Sequence, residues 1–284
     1  MNISGLTRVF MIVGDPIAQV RAPEIYNHIF RRHGVNAVLV PMKVPPPQLA
    51  DFVRKSFEAE NLGGMWVTIP HKTAMQALMD HCDPLSQLAG AVNAVRRNDD
   101  GTIEGALFDG VGFAKGLDHF GIPLLGRRVL VIGAGGGGQA VAAALATRGV
   151  AHLAVYNRST ERATDLVARL APTFGSAVTV TQSPDPAGYD LIVNCTSQGL
   201  KPEDALPIDP HRVDKGGAAV VDIIMTRQPT PLLQACAALG VPAYAGFEML
   251  VQQIPEYLKF FGMPDLAQTL QEDMSEVRKL LYPQ

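Results

Sequence analysis

The sequence predicts an α/β protein with largely parallel sheets, divided into two domains. Two observations carry the prediction. Short β-branched runs alternate with helical stretches along the chain, and a glycine-rich stretch near Gly110–Gly116 interrupts the alternation. Alternation of this kind places helices between parallel strands. A chain of 284 residues, 47% of them apolar, is long enough for two ordinary cores.

The first strand is read over Arg8–Val13, the second over Ala37–Met42 and the third over Gly64–Ile69, with helices near Pro23–His33 and Pro47–Glu60 between them. Pro45, Pro46 and Pro47 read as a helix entry, because proline is tolerated in the first turn. NAVRRNDDGTIEGAL carries an Asp-Gly turn between strand-like runs, which predicts a hairpin of Ala91–Arg96 with Thr102–Leu107. After the glycine-rich stretch come strands at Val129–Ile132, Ala151–Tyr156 and Tyr189–Val193. In the tail, Leu266, Leu270, Met274, Val277 and Leu281 recur at helical spacing and predict one apolar face.

Composition narrows the function. A net charge of −3 and no basic run argue against nucleic acid and anionic membrane surfaces as partners. MNISGLTRVF lacks the pattern of a signal peptide, and no apolar run approaches the roughly 20 residues that span a bilayer. A soluble, cytoplasmic protein is expected. Cys82, Cys195 and Cys236 are scattered and read as reduced, and no metal-ligand spacing occurs, so no metal is expected.

RRVLVIGAGGGGQAVAAALATRGV reads as a strand, a glycine turn and a helix of small residues, with Gly149 at the C-cap. The spacing Gly133, Gly135, Gly138 satisfies the dinucleotide fingerprint. Glycines make the turn tight, admit a pyrophosphate to the backbone and let helix pack on strand, while the helix N-terminus offers free amides. Gly136 and Gly137 lie in the same turn. The next strand ends in Asn157, Arg158, Ser159 and Arg162, where an NAD site would carry an acidic residue. Two guanidiniums with small polar neighbours suit a 2′-phosphate, so NADP is the expected cofactor. Ser159 can also serve as a helix cap.

WVTIPHK places Lys72 just beyond a strand whose composition is that of a buried one. A lysine there either snorkels to water or enters a cleft to exchange protons. His71 and His81 flank it and read as surface histidines.

Taken together, VTIPHK (67–72), GAVNAV (90–95), GALFDGVG (105–112), GAGGGGQA (133–140), NRSTERA (157–163), NCTSQGL (194–200), TPLL (230–233) and GFEMLVQQ (246–253) resemble the shikimate dehydrogenases in order and spacing. The resemblance implies a substrate-binding and catalytic α/β domain over 1–109, an NADP-binding doubly wound Rossmann-type sheet over 110–245, and C-terminal helices over 246–284 that pack back on the first domain. Substrate would lie in the cleft between the domains. It implies Lys72 and Asp109 as the catalytic pair, and Thr68, Asn93 and Gln253 as ligands of the ring hydroxyls. Thr196, Ile223 and Gly246 would approach the cofactor. The activity implied is NADP-linked interconversion of shikimate, or a close cyclic polyol, and its 3-dehydro form, by a monomer or homodimer. Quinate or aminoshikimate dehydrogenases are the alternatives of the same class. A nucleotide-binding regulator without turnover is the alternative of another class, and retention of Lys72 and Asp109 argues against it.

The chain also departs from the family. Where the family carries two serines that hold the substrate carboxylate, this chain has Val20 and Ala22, with Arg21 between them and Gln19 before them. Trp66 replaces an asparagine, Leu107 and Phe108 replace asparagine and threonine, and Met225 replaces a tyrosine. Each change removes polar capacity. Either Arg21 or Gln19 takes over the carboxylate, or the substrate carries a different, less polar substituent. On an extended segment Arg21 would point away from the ligand, which favours the second.

Overall fold

The computed structural model describes residues 3–201, 203–225 and 228–282. The chain forms two compact units, one of Met1–Phe108 with Ile254–Gln284, the other of Asp109–Gln253.

The first unit contains β1 (Arg8–Gly14), α1 (Ala22–Arg32), β2 (Ala37–Lys43), α2 (Leu49–Ser56), β3 (Leu62–Val67), α3 (Lys72–Gln76), β4 (His81–Cys82), α4 (Pro84–Ala89), β5 (Ala94–Arg97) and β6 (Ile103–Ala106). Its sheet has the order β2-β1-β3-β5-β6-β4. β1 runs parallel to β2 and β3, whereas β5 is antiparallel to β3 and β6. The sheet is therefore mixed, as the Asp-Gly hairpin requires. Side chains alternate along β3. Met65 and Val67 join Val13, Leu49, Val53 and Met75 in one core. Trp66 turns to the opposite face, stacked on Tyr257 at 5.2 Å and edge-on to Phe10 and Tyr26.

The second unit contains α5 (Asp109–His119), β7 (Arg128–Ile132), α6 (Gly136–Thr147), β8 (His152–Tyr156), α7 (Thr160–Phe174), β9 (Val178–Val180), β10 (Leu191–Asn194), β11 (Ala219–Asp222), α8 (Pro231–Ala238) and β12 (Ala243–Ala245). α9 (Phe247–Phe260) begins in this unit and ends in the first. The sheet order is β12-β11-β10-β7-β8-β9, and every neighbouring pair is parallel. The chain winds outward from β7 through β8 and β9, then returns to β10 and winds the other way. This is the doubly wound arrangement, with its reversal between β7 and β10.

The glycines of Gly110–Gly116, read in the sequence as interrupting the alternation, lie within α5. A Cβ at Gly110 would stand 2.2 Å from the Ala140 carbonyl oxygen of α6, and one at Gly112 would stand 2.4 Å from the Met249 carbonyl oxygen of α9. The glycines allow helix backbones to touch. The apolar face expected of the tail is shared by two helices. α10 (Pro264–Glu272) and α11 (Ser275–Leu281) are separate, because the Asp273 carboxylate accepts from the Ser275 N–H and starts a new helix. Leu270, Met274, Val277 and Leu281 are nonetheless buried. α11 is tied to the α1 segment by Arg21, which donates to the Leu280 carbonyl at 2.7 Å and the Leu281 carbonyl at 3.2 Å, and by His28 against Glu276 at 2.7 Å.

Candidate active site

In the second unit the turn after β7 forms a glycine cradle at the reversal point, where open α/β sheets bind ligands. Gly133 has φ +106°, and a Cβ at Gly138 would lie 1.9 Å from the Gly133 carbonyl oxygen. No other residue fits at 138. Gly135 is the N-cap of α6, and no side chain covers the first amides of that helix. Three further segments close on the turn. A Cβ at Gly133 would meet Thr196 Cγ2 at 3.1 Å, one at Gly137 would meet Ile223 Cδ1 at 3.1 Å, and one at Gly246 would meet Ile223 Cα at 2.7 Å. Gly136 is the first residue of α6. The glycines, Thr196, Ile223 and Gly246, widely separated in sequence, are thus brought to one place. A backbone cradle beside an uncapped helix N-terminus fits a dinucleotide pyrophosphate.

A buried network missed by sequence reasoning holds two of these segments. The Asp222 carboxylate accepts from Asn194 Nδ2 at 3.0 Å, the Ile224 N–H at 3.2 Å and the Thr230 hydroxyl at 2.7 Å. Burial pushes the Asp222 carboxyl above the usual carboxylate range, against the pull of these donors. Asn194 Oδ1 in turn accepts from the N–H and hydroxyl of Thr196. The sequence signal was an Asp at a strand end with a Thr-Pro helix start eight residues on; only the fold shows them bonded. Burial of the sulfur, aided by Asp222, pushes the Cys195 thiol above its ordinary value.

At the end of β8 the four polar residues separate by role. Asn157 Oδ1 accepts from the Ala134 N–H at 2.9 Å and its amide donates to the Ser159 carbonyl at 2.8 Å, so this side chain braces the glycine turn. Ser159 is the N-cap residue of α7 but does not cap it, since its hydroxyl donates to Glu161 at 2.8 Å. Arg158 and Arg162 are exposed and make no ion pair among the described residues.

In the first unit, backbone hydrogen bonds gather Thr68, Lys72 and Asn93. Thr68 N–H donates to Val13 at 3.0 Å, and Val67 N–H donates to the Asn93 carbonyl at 2.7 Å. Val92 N–H donates to the Lys72 carbonyl at 2.9 Å. Lys72 is the first residue of α3 and is half-buried. Asn93 is buried and directional: its Oδ1 accepts from the Phe108 N–H at 2.9 Å, while its Nδ2 has no partner. Its available side is a donor. The Tyr257 hydroxyl donates to the Asn93 carbonyl at 3.2 Å. Asp109 and Gln253 belong to the second unit, Asp109 at the start of α5 and 5% exposed, Gln253 on α9 with an unpartnered, buried Oε1.

His71 corrects the surface reading. It is 1% exposed, and its Nε2 donates to the Val44 carbonyl at 2.8 Å, so it fixes the strand-to-α3 turn from beneath. His81 is exposed. Val20 and Ala22 are half-buried, and Arg21 is turned toward Glu24 and the end of α11. Gln19 is exposed and donates to the Pro16 carbonyl at 2.9 Å. Among the described residues no group of His, Cys, Asp or Glu could hold a metal ion, and no helix is long and apolar enough to cross a membrane.

A doubly wound sheet with a glycine cradle at its reversal, joined to an α/β unit bearing a lysine among buried polar groups, defines a nicotinamide-dependent alcohol dehydrogenase. Residues 12–95 match the family described as shikimate dehydrogenase substrate binding domain, and residues 117–201 match shikimate / quinate 5-dehydrogenase. The shikimate dehydrogenase (NADP(+)) of Methylobacterium radiotolerans is 38% identical over 277 residues, covering 93% of this chain and 96% of that one. Among solved structures, the shikimate dehydrogenase of Aquifex aeolicus matches with a TM-score of 0.83 at 29% identity, covering 96% of this chain and 100% of that one. The 5-ketofructose reductase of Gluconobacter sp. strain CHM43 matches with a TM-score of 0.80 at 27% identity, covering 94% and 98%. The chain belongs to the shikimate dehydrogenase family.

Proposed function

We propose that this chain interconverts a secondary alcohol and a ketone on a polyhydroxylated ring, shikimate and its 3-dehydro form or a close cyclic polyol, with NADP. The names of the relatives support the reaction class and the cofactor. The observation that carries the reading is the cluster of Lys72, Thr68 and the one-sided Asn93, joined by backbone hydrogen bonds at the ends of β3 and β5.

In the oxidising direction the Lys72 amine accepts the proton of the ring hydroxyl as hydride leaves the same carbon; in the reducing direction the ammonium returns it. Bound NADP supplies the hydride acceptor or donor at its nicotinamide. Asp109 is the second member of the proposed catalytic pair. Thr68, Asn93 and Gln253 hold neighbouring hydroxyls, with Asn93 as donor to an oxygen because its own Oδ1 is engaged. On the cofactor side, Gly133, Gly135, Gly136, Gly137 and Gly138 face the pyrophosphate, and Arg158 and Arg162 take the 2′-phosphate. Ser159 stands beside them, while Asn157 keeps the turn in shape. Thr196, Ile223 and Gly246 line the remainder. Thr68, Lys72 and Asn93 come from the unit of Met1–Phe108 with Ile254–Gln284, whereas the cofactor residues, Asp109 and Gln253 come from the unit of Asp109–Gln253.

The test is the initial rate of NADP+ reduction with saturating shikimate, and separately with quinate, for wild type and Lys72→Ala. Loss of an acid–base group predicts a fall of roughly 10²–10⁴-fold with NADP+ affinity unchanged. A Lys72→Ala protein as active as wild type would replace this reading with that of a nucleotide-binding protein without turnover.

A further inference from the structure

We propose that the ring this site accepts carries no carboxylate, being an uncharged cyclic polyol or keto sugar, and that Val20, Ala22 and Trp66 impose the selection. The proposal rests on the reading of Thr68, Lys72 and Asn93 as the substrate side. An anion placed against a buried wall needs donors or a cation, since desolvation without them is strongly unfavourable.

The segment after β1 begins beside Thr68, since a Cβ at Gly14 would meet both Thr68 Cγ2 and Ile17 Cδ1 and the Asp15 N–H donates to the Ile69 carbonyl at 3.0 Å, and it offers an anion very little. Val20 and Ala22 have no polar side-chain atom, and the Val20 N–H is bonded to the Ile17 carbonyl at 3.2 Å. Arg21, the one cation of that segment, faces the Leu280 and Leu281 carbonyls and the Glu24 carboxylate at 3.1 Å. The first turn of α1 does not substitute for it. Pro23 has no N–H, and Glu24 already places a carboxylate at the positive end of the helix.

Below Thr68 on the same strand face, a large indole stands at Trp66, 2% exposed and enclosed by Phe10, Tyr26, Tyr257 and Phe261. Its N–H and the Tyr26 hydroxyl are each other's polar neighbour and have no contact with solvent. Burial holds the Tyr26 phenol neutral, with its acidity shifted far from the usual range. These groups sit inside the aromatic cluster, whose Tyr257 donates to the Asn93 carbonyl. In the β3–α3 turn the His71 Nε2 is engaged by the Val44 carbonyl, and the Lys72 amine is assigned to proton transfer. The hydroxyl-binding donors are kept; those for a charged substituent are not. 5-Ketofructose, unlike shikimate, has no carboxylate.

The experiment compares shikimate with its methyl ester, identical in ring hydroxyls and differing in charge, by calorimetric affinity for the NADP+-loaded protein and by initial rate. The ester is expected to bind at least about tenfold tighter than the acid. Val20→Ser/Ala22→Ser is expected to tighten the acid by about tenfold, lowering KM rather than raising kcat. Wild-type protein that binds the acid as tightly as the ester, or that binds neither, overturns the proposal. The underlying reading fails separately: if neither compound is turned over, or Lys72→Ala turns over the ester unimpaired, the catalytic assignment is wrong while the order of affinities still decides the preference for charge.

Discussion

Gly138 shows how one residue decides a site. With a Cβ position only 1.9 Å from the Gly133 carbonyl oxygen, Gly138→Ala forces the turn apart, and fluorescence titration with NADPH should show affinity lowered by more than about tenfold, at least 1.4 kcal/mol. An alanine variant with wild-type affinity would mean that the cradle does not bind the pyrophosphate. Arg21 makes the contrasting case. Its guanidinium bonds the last carbonyls of α11, a favourable position for a cation at a helix C-terminus. Arg21→Ala should therefore cost about 1 kcal/mol of stability, discounted for partial exposure, and leave kcat/KM nearly unchanged. A tenfold rise in KM would instead place Arg21 on the substrate. His71 was legible only as a polar residue next to a lysine; its burial depends on the Val44 carbonyl, 27 residues away.

At the scale of elements, the Asp222 network joins the ends of β10 and β11 to the start of α8. Its carboxyl is raised above 3.8 by burial, so the folded state holds the proton more tightly than the unfolded one. The associated stability is fully present below the unfolded value and is lost as pH rises through the raised folded value. Lowering pH from 7 toward 4 should accordingly move the thermal midpoint of wild type upward relative to Asp222→Asn. A constant difference between the two would show that Asp222 does not titrate in this range. Elements also explain what the glycines of α5 do. Sequence reading takes clustered glycine as a breaker. Here the flat helix surface admits α6 and α9, and low side-chain volume is what close helix packing requires.

Over the whole chain, the first unit is discontinuous, completed by Ile254–Gln284, whereas the second is continuous. The single tryptophan reports on the first, since Trp66 lies against Tyr257 and Phe261 from the C-terminal segment. A chain ending at Gln253 should show red-shifted tryptophan emission with NADP+ binding retained; unshifted emission would mean that the aromatic cluster forms without its C-terminal rings. The sequence by itself determined the alternation of strands and helices, the glycine turn and the residues of the polar set, because these are written in local periodicity and short motifs. Val129–Ile132 and Gly149 show this directly, lying within β7 and just after α6. Tertiary structure alone decided which polar atoms were left for a ligand. Whether Asn93 presents its amide or its oxygen, whether Asn157 meets a phosphate or a backbone, and whether Arg21 faces the site or α11 each depend on a partner distant in sequence or on an atom's burial. Hydrogen bonding saturates atom by atom, and only the folded chain specifies which atoms it has already satisfied.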